Sequence, residues 1–225
     1  MKKLSIKDII DFRGKSDRSK KTFVTNLKLE IEKKEIDSGG DYWVSCLSTI
    51  SNSYKNNDSA LINDKIYELE NKFEVHENKN IKTMYERNIS ILYGFENFDF
   101  KLWKPKEEIT FLKKHKSDFL QNIKGLQIKA IPQHVFSYES ENVNFVGAIW
   151  FIAKLGGYQK DEIGMFTDIL FRYLKNTYSK KYDLSPIYCI AVDTVNNISV
   201  NYRELQEGKV PLLLDKTIDE IKKLI

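Results

Sequence analysis

Cysteine and histidine are scarce: the 225 residues hold two of one and three of the other. Cys46 and Cys189 stand 143 positions apart among apolar neighbours, which suits reduced, buried thiols and argues against a disulfide scaffold. His76, His115 and His134 are scattered. No C-x-x-C, H-E-x-x-H or G-x-S-x-G run occurs, so the common zinc and serine-hydrolase signatures are absent. Gly14-Lys15-Ser16 resembles the end of a phosphate-binding loop, but Ile9 stands where that loop needs its first glycine. No apolar run approaches the ~20 residues of a membrane span. The longest, residues 146–155, already contains Lys154. Lys7, Asp8 and Asp11 interrupt any leader-like apolar stretch at the N-terminus, so the expected location is the cytoplasm.

What is present is globular. Hydrophobic residues are 41% and charged residues 30% of the chain, enough apolar material for a real core. The first half reads as helix. Ser5 with Asp8 gives a cap, followed by Ile6, Ile9 and Ile10. Phe23, Val24, Leu27 and Ile31 form a helical stripe over 17–36, ended by Ser38-Gly39-Gly40. Asp41 and Asp58 can cap two further helices, and a fourth apolar stripe starts near Asn80. An aromatic loop, 94–100 with Trp103, reads as a packed corner. Pro105 is expected to open a helix running to Leu120.

Beyond Gly125 the period changes. Residues 126–138 look extended, with Pro132 marking an edge or a bulge. Residues 143–155 read as a central strand buried on both faces, 161–178 as the clearest helix, and 187–193 as a second buried strand. Asn196-Asn197 permits a turn into 198–202, and Thr217 with Glu220 suggests a capping box for a last helix. The expected fold is α/β (or α+β): about five helices over 1–122, then a mixed sheet in β-β-α-β-β-α order over 123–225, in one compact domain of 1–225.

The net charge of +4 hides an uneven layout. Residues 1–28 hold nine basic and three acidic side chains, and 101–129 hold eight and three. The intervening 29–100 hold eight and fourteen. In the first basic block Arg13, Lys15, Arg18, Lys20 and Lys21 alternate with small hydroxyl residues, a composition suited to phosphate contacts. In the second, Lys113, Lys114 and Lys116 lie near Trp103, Phe111 and His115, so stacking beside charge becomes available. The heavy use of Lys, Asn and Ile also fits coding in an AT-rich genome, which yields lysine clusters without any ligand.

The order strand pair, helix, strand over 126–193 resembles the core of the restriction-endonuclease-like nucleases. That resemblance implies an acid at one strand end, an acid-x-Lys run on the next, and Mg²⁺ held between two carboxylates. Glu139 or Glu141 would match the first acid and Lys154 the lysine, whereas Ile152 replaces the second acid. Three readings follow. The first is a nucleic-acid- or polyanion-associated accessory protein without a cofactor. The second is a metal-dependent phosphodiesterase with a degenerate site. The third is a protein-interaction subunit of a complex, phage-defence assemblies among them.

Overall fold

The computed structural model describes residues 3–28, 42–114 and 116–225. The stripe beyond residue 28, the Ser38-Gly39-Gly40 break, the Asp41 cap and His115 lie outside the described residues. In chain order the elements are β1 (Leu4–Ser5), α1 (Ile6–Arg13), α2 (Asp17–Lys28), α3 (Val44–Asn56), α4 (Ala60–Val75) and α5 (Lys79–Tyr93). After a 3-10 turn (Phe100–Trp103) come β2 (Thr110–Phe111), a second 3-10 turn (Lys116–Phe119), β3 (Leu120–Ile123), β4 (Leu126–Lys129), β5 (His134–Ser140) and β6 (Val143–Ile152). Then follow α6 (Lys160–Tyr178), β7 (Asp183–Asp193), β8 (Ile198–Asn201), α7 (Tyr202–Gln206) and α8 (Leu214–Leu224). The chain is therefore mixed α/β, with a helical first half and a sheet-rich second half.

β6 organises the molecule because its two faces are both apolar. Val146, Ala148 and Ile152 point to one core, while Ile149 and Phe151 point to the other. A strand of that kind must be covered on both sides. It occupies the centre of a five-stranded mixed sheet, β2-β5-β6-β7-β8, antiparallel to β5 and parallel to β7. α6 makes the crossover between β6 and β7 and covers one face together with α1, α2 and α8. α3, α4 and α5 cover the other. A small mixed sheet, β1-β4-β3, closes the first core. Both cores draw residues from before and after position 122.

Local chemistry accounts for the helix ends. Ser5 caps α1 as expected, and Asp8 returns the bond to the Ser5 N–H, completing a capping box. Asn57 closes α3 with φ of 54°, a left-handed conformation that asparagine tolerates. The aromatic corner is packed, with Phe95, Phe100 and Trp103 all buried.

Three expectations are corrected. The extended segment 126–138 divides between the two sheets, β4 in the small one and β5 in the large one, so the order over 123–225 is β-β-β-α-β-β-α-α and not β-β-α-β-β-α. The helix from Pro105 to Leu120 does not form. Thr110 and Phe111 pair with Ser137 and Phe136 as an edge strand, and Leu120–Ile123 pairs with β4. The side chains there alternate: Ile109 and Phe111 join the second core, and Leu112 joins the first. That period of two outweighs the helical spacing of Ile109, Leu112 and Phe119. The capping box at Thr217 is absent too. α8 begins at Leu214, and Thr217 lies inside it, its hydroxyl donating to the Leu213 carbonyl. Burial of Leu214, Ile218 and Ile221 along one stripe extends the helix past the expected start.

Candidate functional site

The end of β6 is where the nuclease resemblance places its chemistry, and the structure does not assemble it. Glu139 pairs across the hairpin with Asn144, and Glu141 sits in the turn with φ of 52°. Lys154 follows the opposite end of the strand, roughly 30 Å away at the rise of an extended chain. The residues facing that end from β5 are Gln133 and His134, not a carboxylate. Oε1 of Gln133 accepts from the Phe151 N–H at 2.7 Å, and its Nε2 donates to the Phe151 carbonyl at 3.0 Å.

The acids that do lie near Lys154 are already engaged. Lys154 pairs with Glu162 at 2.8 Å, and the same Glu162 oxygen caps α6 at the Gln159 N–H. Asp193 is fully buried at the end of β7. Its Oδ2 accepts from the Tyr158 N–H and the Asn196 amide, and its Oδ1 from the Val195 N–H. This donor set does not fit a divalent ion such as Mg²⁺, because N–H groups occupy the lone pairs a metal needs. Among the described residues no three His, Cys, Asp or Glu are grouped to hold a metal.

The two basic blocks are separated. Arg13 bonds to Asp161 in the first turn of α6, whereas the Lys113 carbonyl accepts from the Tyr178 hydroxyl at the last residue of α6. A 19-residue helix is about 27 Å long. Within the first block, Arg13 and Lys20 are neutralised by Asp161 and Glu220, while Lys15, Arg18 and Lys21 carry no ion pair among the described residues. Within the second block Lys113 is exposed, and the side chain of Lys116 lies outside the described set. The ammonium of Lys114 donates to the carbonyls of Pro132 and Gln133, and burial lowers its pKa.

Lys114 is one member of a cluster that the chain assembles from three distant segments. Tyr54 and Lys55 come from α3, Lys104 and Phe111 from the segment ending in β2, and His134 from the first residue of β5. The His134 ring stacks on Tyr54, centroids 5.7 Å apart, and meets the edge of Phe111 at 5.1 Å. Lys104 Nζ lies 4.6 Å from the centre of the Tyr54 ring, and Lys55 Nζ lies 5.9 Å from that of Phe111. None of these three lysines has a carboxylate partner among the described residues. Burial pushes the His134 pKa down to about 4; the bond to the Ser51 carbonyl opposes this, and Lys114, Lys55 and Lys104 add to it. The ring is therefore neutral at pH 7.

A cavity of about 420 Å³ opens beside this cluster, lined by Val44, Leu47, Ser48, Ser51, Asn52, Lys114, Ile131, Pro132 and Gln133. Nε2 of His134 lies 2.7 Å from the Ser51 hydroxyl and 3.0 Å from the Ser51 carbonyl. A carbonyl only accepts, so Nε2 carries the ring proton. His134 is thus a donor to Ser51 and not a base poised to activate it. The arrangement offers cations, half-exposed aromatic edges and hydroxyls, which is binding chemistry.

Of these groups, the sequence pattern pointed to Lys114 and to stacking at Phe111. It missed Tyr54, Lys55, Ser51 and Gln133, because their proximity comes from α3 folding over the start of β5. Compared with family models, with curated proteins and with solved structures, the chain matches none.

Proposed function

We propose that this chain is a nucleic-acid-binding accessory protein that engages an unpaired stretch of DNA or RNA at the Phe111–His134 corner built on the buried Tyr54. The observation that carries the reading is the group Lys55, Lys104 and Lys114, three cations without carboxylate partners among the described residues, beside the half-exposed rings of Phe111 and His134, which pack on the buried Tyr54. Phosphates supply the charge such a group lacks, and unstacked bases supply faces for the rings. Burial lowers the pKa of Lys104 and of Lys114, so each is a cation already stripped of part of its hydration. A phosphate placed there recovers more Coulomb energy than it would at a solvated lysine.

Fluorescence anisotropy with a labelled 20-nucleotide oligo-dT or oligo-U, from low to moderate salt, tests this. Binding is expected at low salt, with a log K against log salt slope that falls by about 0.7 for each lysine removed by Lys55→Ala or Lys104→Ala. No binding at low salt, or a slope that both variants leave unchanged, overturns the reading.

A further inference from the structure

A second cavity, of about 280 Å³, adjoins the first and shares Leu47, Ile131 and Gln133 with it. Its body is apolar: Ile6, Leu47, Ile152 and an aromatic set of Trp150, Tyr158 and Phe166. Phe166 meets Trp150 edge-on at 5.3 Å and Tyr158 edge-on at 5.1 Å, so the rings hold one another in place. The cavity lies beyond the carboxyl end of β6, where the parallel pair β6–β7 runs out. Open α/β sheets commonly take ligands at such ends.

The polar groups on its wall decide what fits. Ser5 is committed to Asp8 through both its N–H and its hydroxyl. Both ends of the Gln133 amide are taken by Phe151. What remains is the Tyr158 hydroxyl, kept protonated because burial raises its pKa, together with Lys7 and Lys129. Neither lysine has a carboxylate partner among the described residues, and no acid lines the cavity. A nucleobase would bury its ring N–H and amino donors beside lysine ammoniums, which donate and cannot accept. An apolar body carrying one anionic head matches every available group.

We infer that this cavity is a binding site for a small amphipathic monoanion, an aryl or short acyl carboxylate or sulfonate. The body packs among Trp150, Tyr158 and Phe166, and the head faces Lys7 and Lys129. This site is separate from the lysines of the proposed nucleic-acid interface.

Naphthalene-2-sulfonate is a suitable probe, with calorimetry and Trp150 fluorescence as readouts. Trp150→Phe identifies the optical signal, since Trp43 and Trp103 pack in the other core and do not line this cavity. Wild-type protein is expected to bind the sulfonate, and Lys7→Gln with Lys129→Gln to weaken it about tenfold or more. The uncharged 2-naphthol should bind more weakly and be indifferent to the same pair. Lys7 is exposed and Lys129 half-buried, so an unchanged urea midpoint of the double variant serves as the control that the fold is kept. No sulfonate binding at millimolar concentration, equal binding by wild type and the double variant, or tighter binding of adenosine monophosphate than of the sulfonate each overturns the inference.

Discussion

Gln133 and Phe151 pair as two strand residues do, although one partner is a side chain. The Gln133 amide accepts from Phe151 N–H at 2.7 Å and donates to Phe151 C=O at 3.0 Å, extending the β5–β6 ladder past its backbone register at His134. Phe151 is buried, so a lost partner leaves two main-chain groups unsatisfied. Gln133→Ala is expected to cost about 2 kcal/mol, read as a lower urea midpoint at constant m. A loss below about 0.5 kcal/mol would show that water replaces the amide and that the pairing contributes little.

His134 makes stability depend on pH with a definite sign. Its folded pKa is about 4 against an ordinary value of 6.5, so between these limits the unfolded chain holds the extra proton. Its contribution is present above pH 6.5 and is lost as pH falls toward 4. Allowing for partial solvent exposure of the ring, the change is about 1–2 kcal/mol. Urea melts at pH 7 and pH 5 should show wild type losing more stability than His134→Gln over this interval. Equal losses would place the His134 pKa near its ordinary value. A bound phosphate near Lys114 and Lys55 should raise that pKa, so nucleic-acid binding should take up protons near pH 5.

The elements legible in the sequence were those whose stability is local. Ser5 and Asp8 signal the cap of α1, and the stripe Ile163, Phe166, Ile169, Leu170, Tyr173 and Leu174 predicts α6. The run 143–155 predicts the buried centre of the sheet. What failed was decided by partners far away in the chain. Residues 105–120 carry helical spacing, but Phe111 finds Phe136 and Tyr54, and Leu112 donates its N–H to the Val135 carbonyl. The same holds for the candidate site. Lys114 and the Phe111 ring were readable, whereas Tyr54 and Lys55 arrive through α3 and His134 through β5. Glu139 precedes and Glu141 sits in the two-residue turn that opens β6, so hairpin connectivity keeps them at the end opposite Lys154.

Asp168 is buried on α6 and held by Arg172, whose guanidinium also reaches Asp215. Burial raises the Asp168 pKa, and the Arg172 bonds pull it back. Arg172→Leu therefore leaves a buried carboxylate unpaired and should cost about 3 kcal/mol at pH 7. A carboxyl whose folded pKa is raised loses stability as pH rises through it, so the deficit should shrink as pH falls into the carboxylate range. Adding Asp168→Asn should restore most of the loss. A deficit that neither low pH nor Asp168→Asn reduces would mean that the arginine acts through packing alone.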